Sequence, residues 1–543
     1  MLRKLLLLAA TVLTAANTAE AATPAFGFTK TSNRYVINTG AGLTINMLPS
    51  TCDIVSLLYK NQELQYKAKY THINSGLGSL QSTITQLADA KKTIQVTCTK
   101  TGITQYYFIR PNENTIYMGT YHTSDLNIPE LRFLARLDRK TVATGITQST
   151  LDGTVGAIEA HDVYATSKNI TRSKFYSGVQ FVDDKIHGVR GTSAGVYFVL
   201  SNSAYETSSG GPFFRDINNQ CTTANELTFY MNSDHTRTEE YRHGFHGPYA
   251  LTFTDGPAPS SVSVADFTFF QSLSNIKGFV KDAQRGKVTG AISDAKGVLT
   301  GSPVYVTYEN ANAQYWSSLG SSTFKFTSPP MVEGTYTVTV YKNQLAVGTG
   351  SVTVKAGTTT TSNLQVTYVM NTSPIWRIGT WDGTPDGFLN ADKIHTMHPS
   401  DSRMTAWKPS TFRVGTDKDA VFPMALFRKA NDPTAITFTL TAAQAKAPRT
   451  LQIGVSLAQL SGRPGIKVND KWTGPVLASV AVKTRGVTRG VTHGNYMLYK
   501  YTIPASALVA GANKIAISIA SGATDPAEKF LSASVVFDAL ELS

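Results

Sequence analysis

The sequence predicts a mostly β protein that is divided into several domains. Most periodic segments alternate apolar and polar residues with a period of two, the pattern of a strand with one buried face. Amphipathic helical patterns are scarce, and Gly and Asn separate the alternating runs. At 543 residues the chain is too long for one ordinary core, so we expect two to four domains.

The first element, residues 1–21, has the pattern of a secretory signal peptide. Arg3 and Lys4 precede a short apolar run, and the small residues Ala19 and Ala21 close the segment. The apolar run is too short to span a bilayer, and no later stretch approaches the length of a membrane helix. These features predict a secreted, extracellular protein.

Residues 22–275 form the first and largest block, which contains most of the aromatic, histidine and charged clusters. Cys52 and Cys98 lie in similar strand-like stretches and are predicted to form a disulfide in an oxidising compartment. Cys221 is then free, and we expect it to be buried. The three cysteines lie too far apart to match a zinc-binding spacing.

Residues 276–369 form a second block of short strands rich in Gly, Thr and Val. In "GTYTVTVY", Tyr336, Val338 and Val340 share one face of a predicted strand, and "YKNQLAVGTGSVTVKAG" predicts the turn and the returning strand of a hairpin. The size of the block suits an immunoglobulin-like sandwich.

Residues 370–543 form the third block, which opens at "WRIGTWDGTPDGF" and ends in the alternating "SASVVFDALELS". This pattern is typical of a jelly-roll sandwich. Short helices are predicted only at "VADFTFFQSLSN" in the first block and "TAAQAKA" in the third. Asn169 and Asn371 begin glycosylation sequons, which would mark exposed loops.

The chain is basic, with 50 Lys and Arg against 37 Asp and Glu and a formal net charge of +13. A basic secreted protein suits a polyanionic partner. The charge alone is equally consistent with a role in solubility. Composition therefore does not identify the substrate.

Eight stretches, in order along the mature chain, together resemble rhamnogalacturonan lyase of polysaccharide lyase family 4, the fungal rhamnogalacturonase B type. The stretches are "SGLGS", "PELRFLARL", "TRSKFYSG", "SSGGPFFRDIN", "FYMNSDHTRTEEYRHGFHGPY", "IKGFVKDAQRGKVTG", "MHPSDSRM" and "TRGVTRG". The resemblance implies a large β-super-sandwich with the active site, a fibronectin-III-like sandwich and a jelly-roll carbohydrate-binding-like domain. It also implies a monomer that acts on an acidic cell-wall polysaccharide, without a nucleic-acid or membrane partner.

The implied reaction is β-elimination in the pectin backbone of alternating rhamnose and galacturonate. A base removes the C5 proton of the uronate, charge develops on the adjoining carboxylate, and the bond to O4 breaks. Such a reaction needs a base, a group that neutralises the carboxylate and an acid for the leaving oxygen. The family mechanism requires no metal or other cofactor.

The resemblance assigns the base to Lys174 and the acid to His235. A lysine can act as a base near neutral pH only when burial or nearby cations disfavour its charge, and most lysines are surface residues. A histidine can arrive protonated near neutral pH. His243 and His246 are competitors for the acid role, although the spacing of the three histidines fits no standard zinc pattern.

Substrate binding is assigned by the same resemblance. Tyr230 and Arg132 match active-site positions of the family, and Arg485 matches a second arginine that the third domain contributes, with Arg489 as its neighbour. Arginine forks suit the planar carboxylate of a uronate, although surface salt bridges are the commoner fate of arginine. Thr228 stands where the family pattern has another tyrosine. If both arginine assignments hold, the cleft lies between the first and third domains.

Two other functions and one metal site are compatible with the residues. A secreted carbohydrate-binding protein could have the same fold with an inactive site, although Lys174 and His235 argue against it. A glycoside hydrolase would need two paired carboxylates, for which the candidates are Asp216, Glu226, Asp234, Glu239 and Glu240. "WDGTPDGF" and Asp538 could hold a structural calcium ion, although acidic loop residues are more often solvated.

Overall fold

The computed structural model describes residues 23–125, 130–320, 323–480, 484–522 and 529–543. The predicted signal peptide lies outside the described residues. The described chain is mostly β, as predicted. None of the helices in these ranges is long and apolar enough to cross a membrane.

The first domain consists of strands in several antiparallel sheets. Its strands are β1 (Gly27–Lys30), β2 (Tyr35–Asn38), β3 (Leu43–Met47), β4 (Ile54–Tyr59), β5 (Gln62–Glu63), β6 (His72–Ile73), β7 (Gln81–Gln86), β8 (Ile94–Lys100), β9 (Ile103–Ile109), β10 (Thr115–His122), β11 (Leu131–Leu137), β12 (Thr154–Glu159), β13 (Val163–Thr166), β14 (Thr171–Ser173), β15 (Ile186–Arg190), β16 (Gly195–Leu200), β17 (Asn219–Cys221), β18 (Asn225–Asn232) and β19 (Gly244–Thr254).

The sheets of this domain have the orders β1-β2-β3-β4-β5, β15-β16-β19-β10-β9-β8-β7, β17-β18-β11-β6 and β12-β13-β14. Apolar side chains from the first three of these sheets meet in one buried cluster. The small sheet β12-β13-β14 is not part of that cluster, and its residues Glu159 and Thr171 contact the third domain.

The predicted disulfide is confirmed. Cys52 and Cys98 are joined with an S–S distance of 2.01 Å, which links the segment before β4 to β8. Cys221 is free and buried, as expected, and burial raises the pKa of its thiol. A buried thiol with a raised pKa is a poor nucleophile, so its role is packing.

The second domain has the strands β20 (Arg285–Ser293), β21 (Val304–Glu309), β22 (Gln314–Leu319), β23 (Lys325–Thr327), β24 (Met331–Val332), β25 (Gly334–Lys342), β26 (Leu345–Val354), β27 (Thr359–Thr361) and β28 (Leu364–Gln365). The predicted hairpin is confirmed as β25 and β26, which pair antiparallel. Tyr336, Val338 and Val340 all point into the core of the domain.

The third domain has the strands β29 (Trp376–Gly379), β30 (Ser410–Arg413), β31 (Ala425–Phe427), β32 (Thr434–Leu440), β33 (Arg449–Gln459), β34 (Arg463–Val468), β35 (Trp472–Thr473), β36 (Met497–Ile503), β37 (Gly511–Ala520) and β38 (Ser534–Leu542). They form two sheets, one around β33 and β38 and one around β32 and β37, with a buried apolar cluster between them. This two-layer arrangement agrees with the predicted sandwich.

Helices are few. The α-helix α1 (Ala442–Ala445) confirms the short helix predicted at "TAAQAKA", and its cap Thr441 accepts a hydrogen bond from the amide of Gln444. The segment "VADFTFFQSLSN" forms only 3-10 turns, because its aromatic side chains pack against the first domain rather than along one helix face. The 3-10 helices are Thr147–Ser149, Lys174–Ser177, Val262–Val264, Phe267–Ser272, Asp282–Gln284, Asp419–Val421, Gly486–Arg489, Ala505–Ala507 and Lys529–Leu531.

The first and third domains meet along β14 and the turn that follows it. The amide and hydroxyl of Thr171 both donate to Asp401 Oδ2, at 2.6 and 2.7 Å. The Tyr176 hydroxyl donates to the Thr488 carbonyl at 2.5 Å. These buried hydrogen bonds fix the third domain directly beside Lys174.

Candidate active site

Lys174 lies where β14 ends and a 3-10 turn begins. Its backbone is held by Ser177, whose hydroxyl donates to the Lys174 carbonyl at 2.6 Å and accepts from the amides of Asn218 and Asn219. The Lys174 side chain is 20% exposed. A fixed backbone thus presents a long, partly shielded amine, rather than the freely solvated group that a surface lysine would be.

The Lys174 amine pairs with Asp162 across the same corner of the fold. Lys174 Nζ lies 3.2 Å from Asp162 Oδ1, and Arg489 Nη2 from the third domain donates to Asp162 Oδ2 at 3.0 Å. One carboxylate therefore contacts both side chains. The amine also lies 5.5 Å from the centroid of the Phe175 ring.

His235 lies between two carboxylates. Its Nε2 is 3.0 Å from Glu130 Oε1, and its Nδ1 is 3.1 Å from the Ser233 hydroxyl and 3.4 Å from Asp216 Oδ2. Two carboxylates and one hydroxyl therefore fix the position of the His235 ring.

Asp216 is the buried member of this group. Burial raises its pKa, but His235, the Ser233 side chain and the Ile217 amide lower it by more, so that the carboxyl has a pKa below its ordinary value. Asp216 therefore stays ionised beside His235. The neighbouring Arg215 donates to the His395 carbonyl of the third domain at 3.0 Å.

The Phe175 ring lies between the candidate base and acid. His235 contacts it edge-on at 5.1 Å between centroids, and the Arg489 guanidinium lies over it at 4.4 Å. Phe175 packs with Ile217 and Tyr230 in a small buried apolar cluster. The fold therefore places Lys174, His235 and Arg489 around one aromatic side chain.

Arg132 and Tyr230 are neighbours across the paired strands β11 and β18. Arg132 Nη1 donates to the Tyr230 hydroxyl and also pairs with Glu130, while the Asn74 side chain accepts from the Arg132 amide at 2.9 Å. Burial raises the pKa of Tyr230 well above its ordinary value, so its hydroxyl keeps its proton. Glu130 thus links Arg132 to His235.

The two third-domain arginines differ in their surroundings. Arg489 is 7% exposed and donates to the His235 carbonyl at 3.1 Å, in addition to its bond with Asp162. Arg485 is 53% exposed, and its Nη1 lies 3.8 Å from Glu159 Oε1. Arg489 is therefore an internal support for His235, whereas the guanidinium of Arg485 stays open to a ligand.

Glu159 anchors both arginines from the first domain. Its side chain is fully buried, and it also lies 3.4 Å from His398 Nε2. Burial raises the pKa of Glu159, but His398 and the two guanidinium groups lower it by more, and the net pKa is below the ordinary value. A charged carboxylate thus stabilises the junction of the first and third domains.

Sequence reasoning missed the supporting carboxylates Glu130, Asp162 and Glu159. Glu130 lies inside the quoted stretch "PELRFLARL", two residues before Arg132, and this proximity was the one signal that could have indicated it. Asp162 and Glu159 lie in other segments and give no spacing signal. They are found only where β12 and β13 meet the third domain.

Other candidate residues lie outside this group. Thr228 is buried, and its hydroxyl donates to the Ile217 carbonyl at 2.6 Å, so it fills an internal position. His243 pairs with Asp125 at 2.8 Å, and His246 pairs with His122 at 2.8 Å between Nε2 atoms.

The carboxylates considered for a hydrolase do not form a pair among the described contacts. Glu226 binds Arg136 at 3.1 Å, and Glu239 binds Arg242 at 2.9 Å. Asp216 contacts His235 as described above. The remaining candidates, Asp234 and Glu240, have exposed side chains beside Arg237.

The described residues contain no cluster of three or more His, Cys, Asp or Glu that could hold a metal ion. Asp538 accepts from the amides of Asp382 and Gly383 at 3.1 and 2.8 Å and from the Tyr496 hydroxyl at 2.9 Å. Burial raises the pKa of Asp538 to about 7. Protein donors already occupy this carboxyl, and the structural calcium stays a prediction.

The two glycosylation sequons have different surroundings. Asn169 is exposed, and its carbonyl accepts from the Ser402 amide at 3.0 Å. The Asn371 side-chain amide donates to Glu541 Oε1 at 2.8 Å. Glycosylation at both positions stays a prediction.

Comparison with known proteins gives three consecutive family matches. The profile described as "Rhamnogalacturonan lyase B, N-terminal" matches residues 26–278, and the profiles for domains II and III of polysaccharide lyase family 4 match residues 284–362 and 374–542. The chain is 43% identical over 532 residues to rhamnogalacturonate lyase A of Aspergillus aculeatus, covering 97% of each chain. It is 42% identical over 550 residues to rhamnogalacturonate lyase A of Emericella nidulans, covering 100% of each chain.

Proposed function

This chain belongs to polysaccharide lyase family 4 and is a rhamnogalacturonan lyase, and we propose that it cuts the linkage between rhamnose and galacturonate by β-elimination, in which the C4–O4 bond of galacturonate breaks. The observation that supports this bond and mechanism most strongly is the arrangement of Lys174, Arg489 and His235 around Phe175. Arg132 is joined to the same group through Glu130.

The proton transfers follow from these positions. The Lys174 amine takes the C5 proton, and the electrons of that C–H bond form the C4=C5 double bond as the bond from C4 to O4 breaks. His235 gives its proton to O4 of the leaving rhamnosyl chain. The products are an unsaturated galacturonate and a chain with a free hydroxyl, so that atoms and electrons balance.

Arg132 neutralises the uronate carboxylate on which charge develops during proton removal. Its guanidinium is paired with Glu130 in the absence of substrate. A bound uronate therefore replaces Glu130 as the anion beside Arg132. Arg485, with its open guanidinium, supplies a second positive charge from the third domain.

We further propose that the enzyme is secreted and acts as a monomer without a cofactor. The signal-peptide pattern of residues 1–21 and the Cys52–Cys98 disulfide support an oxidising extracellular location. The polymer is a polyanion, and the net charge of +13 favours its binding.

The test replaces Lys174 with alanine and, separately, with arginine. Because removal of a general base costs ~10²–10⁴ in rate, Lys174→Ala should lose at least that factor in kcat while still binding substrate. Lys174→Arg should be equally inactive, since arginine keeps the charge but cannot give up a proton at working pH. The measurement is the ultraviolet absorbance of the unsaturated product.

Lys168→Arg is the matched control, because Lys168 is an exposed lysine six residues earlier, and it should keep wild-type kcat. High activity of Lys174→Arg would remove Lys174 from the base role. New reducing ends without the ultraviolet signal would instead indicate hydrolysis.

A further inference from the structure

A pocket of about 150 Å³ lies where the three domains meet. Its walls come from residues 210–213 and 238–239 of the first domain, residues 307–309 and 314–316 with Tyr341 of the second, and residues 493–494 of the third. None of the proposed base, acid or arginine residues lines it. It is therefore a separate site from the cleft at Lys174.

Aromatic rings form much of its wall. Phe213 contacts Tyr341 and His493 edge-on, each at 5.2 Å between centroids, and Tyr315 and Trp316 face the same space. Aromatic side chains offer flat apolar surfaces with strongly favourable contact area. Such a surface suits the apolar face of a sugar ring.

Three polar groups of the pocket have no hydrogen-bond partner among the described residues. Two are buried atoms, His493 Nδ1 and the Tyr308 hydroxyl, and the third is the partly buried Glu309 carboxylate. Burial and the nearby Glu239 raise the pKa of Glu309, and burial lowers the pKa of His493 to about 4. Buried polar groups without partners cost free energy, so a ligand that bonds to them gains affinity.

The neighbouring polar residues are already occupied. Glu239 accepts from Arg242 Nη1 and Nη2 at 2.9 and 3.1 Å. Gln314 accepts from the Gly211 amide at 3.0 Å and donates to the Tyr205 carbonyl at 3.0 Å. Glu309, His493 and Tyr308 are thus groups of the pocket that a ligand can bond.

The charge of the pocket selects against uronates. Glu239 and Glu309 line it, and no lysine or arginine does so among the described residues. A carboxylate in this pocket would be repelled, whereas sugar hydroxyls can donate to Glu309. We propose that this pocket binds a neutral sugar unit of the rhamnogalacturonan substrate, a proposal that rests on the proposed function.

The pocket is close to the cleft along two chain segments. Thr238 of the pocket follows His235 by three residues, which span at most ~11 Å. Gly494 follows Arg489 by five residues, and a Cβ at Gly494 would collide with the Thr238 side chain, so the two walls touch. A polymer bound at Lys174 can therefore extend a neutral unit into the pocket.

The test compares Glu309→Gln with the wild-type enzyme on two substrates, a linear rhamnogalacturonan and one with neutral branches. Loss of a hydrogen bond to a charged group costs ~1.5–3 kcal/mol, so KM should rise about 10- to 100-fold with kcat unchanged. A rise of KM on both substrates identifies a rhamnose of the backbone as the neutral unit in the pocket. A rise only on the branched substrate identifies a branch.

Glu333→Gln is the matched control, because Glu333 is an exposed glutamate of the same domain, and it should leave KM unchanged. A direct measurement uses the full-length Lys174→Ala protein and ligand-observed NMR with free rhamnose, galactose and galacturonate. The neutral sugars should give signals that Glu309→Gln weakens, and galacturonate signals should not depend on Glu309.

An unchanged KM for Glu309→Gln on both substrates would overturn the proposal. NMR signals of bound galacturonate that Glu309→Gln weakens would also overturn the proposal. Failure of the proposed function is distinguishable, because it would appear as a wild-type enzyme without unsaturated product, whereas the NMR measurement needs no turnover.

Discussion

His235 and the histidine pair His122 and His246, all in the first domain, have opposite surroundings. His235 faces Glu130 on one ring nitrogen and Asp216 on the other. His122 and His246 face each other, with 2.8 Å between their Nε2 atoms. Burial, together with His122 and His243 nearby, lowers the pKa of His246 well below its ordinary value, and burial lowers the pKa of His122.

The difference shows that surroundings decide which histidine can deliver a proton. Carboxylates stabilise an imidazolium, whereas burial beside another imidazole disfavours it. His235 and His246 are eleven positions apart in one stretch of sequence. The pairing of β10 with β19 places His246 beside His122, and the loop before β19 directs His235 to the cleft.

The largest expected effect comes from His235→Gln, which removes the proposed acid. Turnover should fall ~10²–10⁴-fold, the usual contribution of general acid catalysis. The measurement is the initial rate of unsaturated product at saturating substrate. His243→Gln, at the partly exposed histidine paired with Asp125, should keep near-wild-type turnover. Equal losses of turnover in His235→Gln and His243→Gln would contradict the different roles proposed for the two histidines.

A smaller loss is expected from Asp216→Asn, which keeps the shape of the side chain and removes its charge. Because a hydrogen bond to a charged group contributes ~1.5–3 kcal/mol, kcat should fall about 10- to 100-fold. The measurement is kcat at saturating substrate.

The exposed Asp234 is the matched control for this measurement, and Asp234→Asn should leave kcat unchanged. An Asp216→Asn enzyme with wild-type kcat would show that the charge of Asp216 does not support His235.

The buried pair of His122 and His246 predicts that the stability of the folded protein depends on pH. The folded-state pKa of His246 lies below its ordinary value of 6.5, so the unfolded chain takes up the proton first. Stability is therefore retained above pH 6.5 and falls as the pH drops below it, by at most about 1.4 kcal/mol per pH unit for each such histidine.

The test is the thermal midpoint of unfolding between pH 8 and about pH 5. His246→Gln should show a shallower decline than the wild-type protein, and His161→Gln, at an exposed histidine, should keep the wild-type slope. Parallel curves for His246→Gln and the wild-type protein would contradict the prediction.

The smallest expected effect is a change of KM with salt, which concerns the exposed Arg485. Lowering the Debye length from ~30 to ~8 Å, between about 0.01 and 0.15 M salt, should raise KM a few-fold because exposed charges are screened. Arg485→Gln should flatten this dependence, since Arg485 is half exposed. Arg413→Gln, at an exposed arginine paired with Asp417, should leave the salt dependence of KM unchanged. A KM independent of salt would argue against an electrostatic cleft.

The sequence alone determined the β class, the hairpin of the second domain and the Cys52–Cys98 pair, whereas the base and acid roles of Lys174 and His235 stay predictions from family resemblance. These features depend on local alternation or on short motifs, which a linear sequence contains. Alternation also identified the buried face of "GTYTVTVY", because one face of a strand must leave water.

Only the tertiary structure decided how those residues are supported. Arg485 and Arg489 lie four positions apart in one motif, yet one is half exposed and the other is buried against Asp162 and Glu159. Periodicity indicates that a face is covered but not which distant segment covers it. The carboxylates beside Lys174, His235 and the two arginines come from separate segments of the first domain, and contacts at that separation are fixed by the packing of sheets and domains.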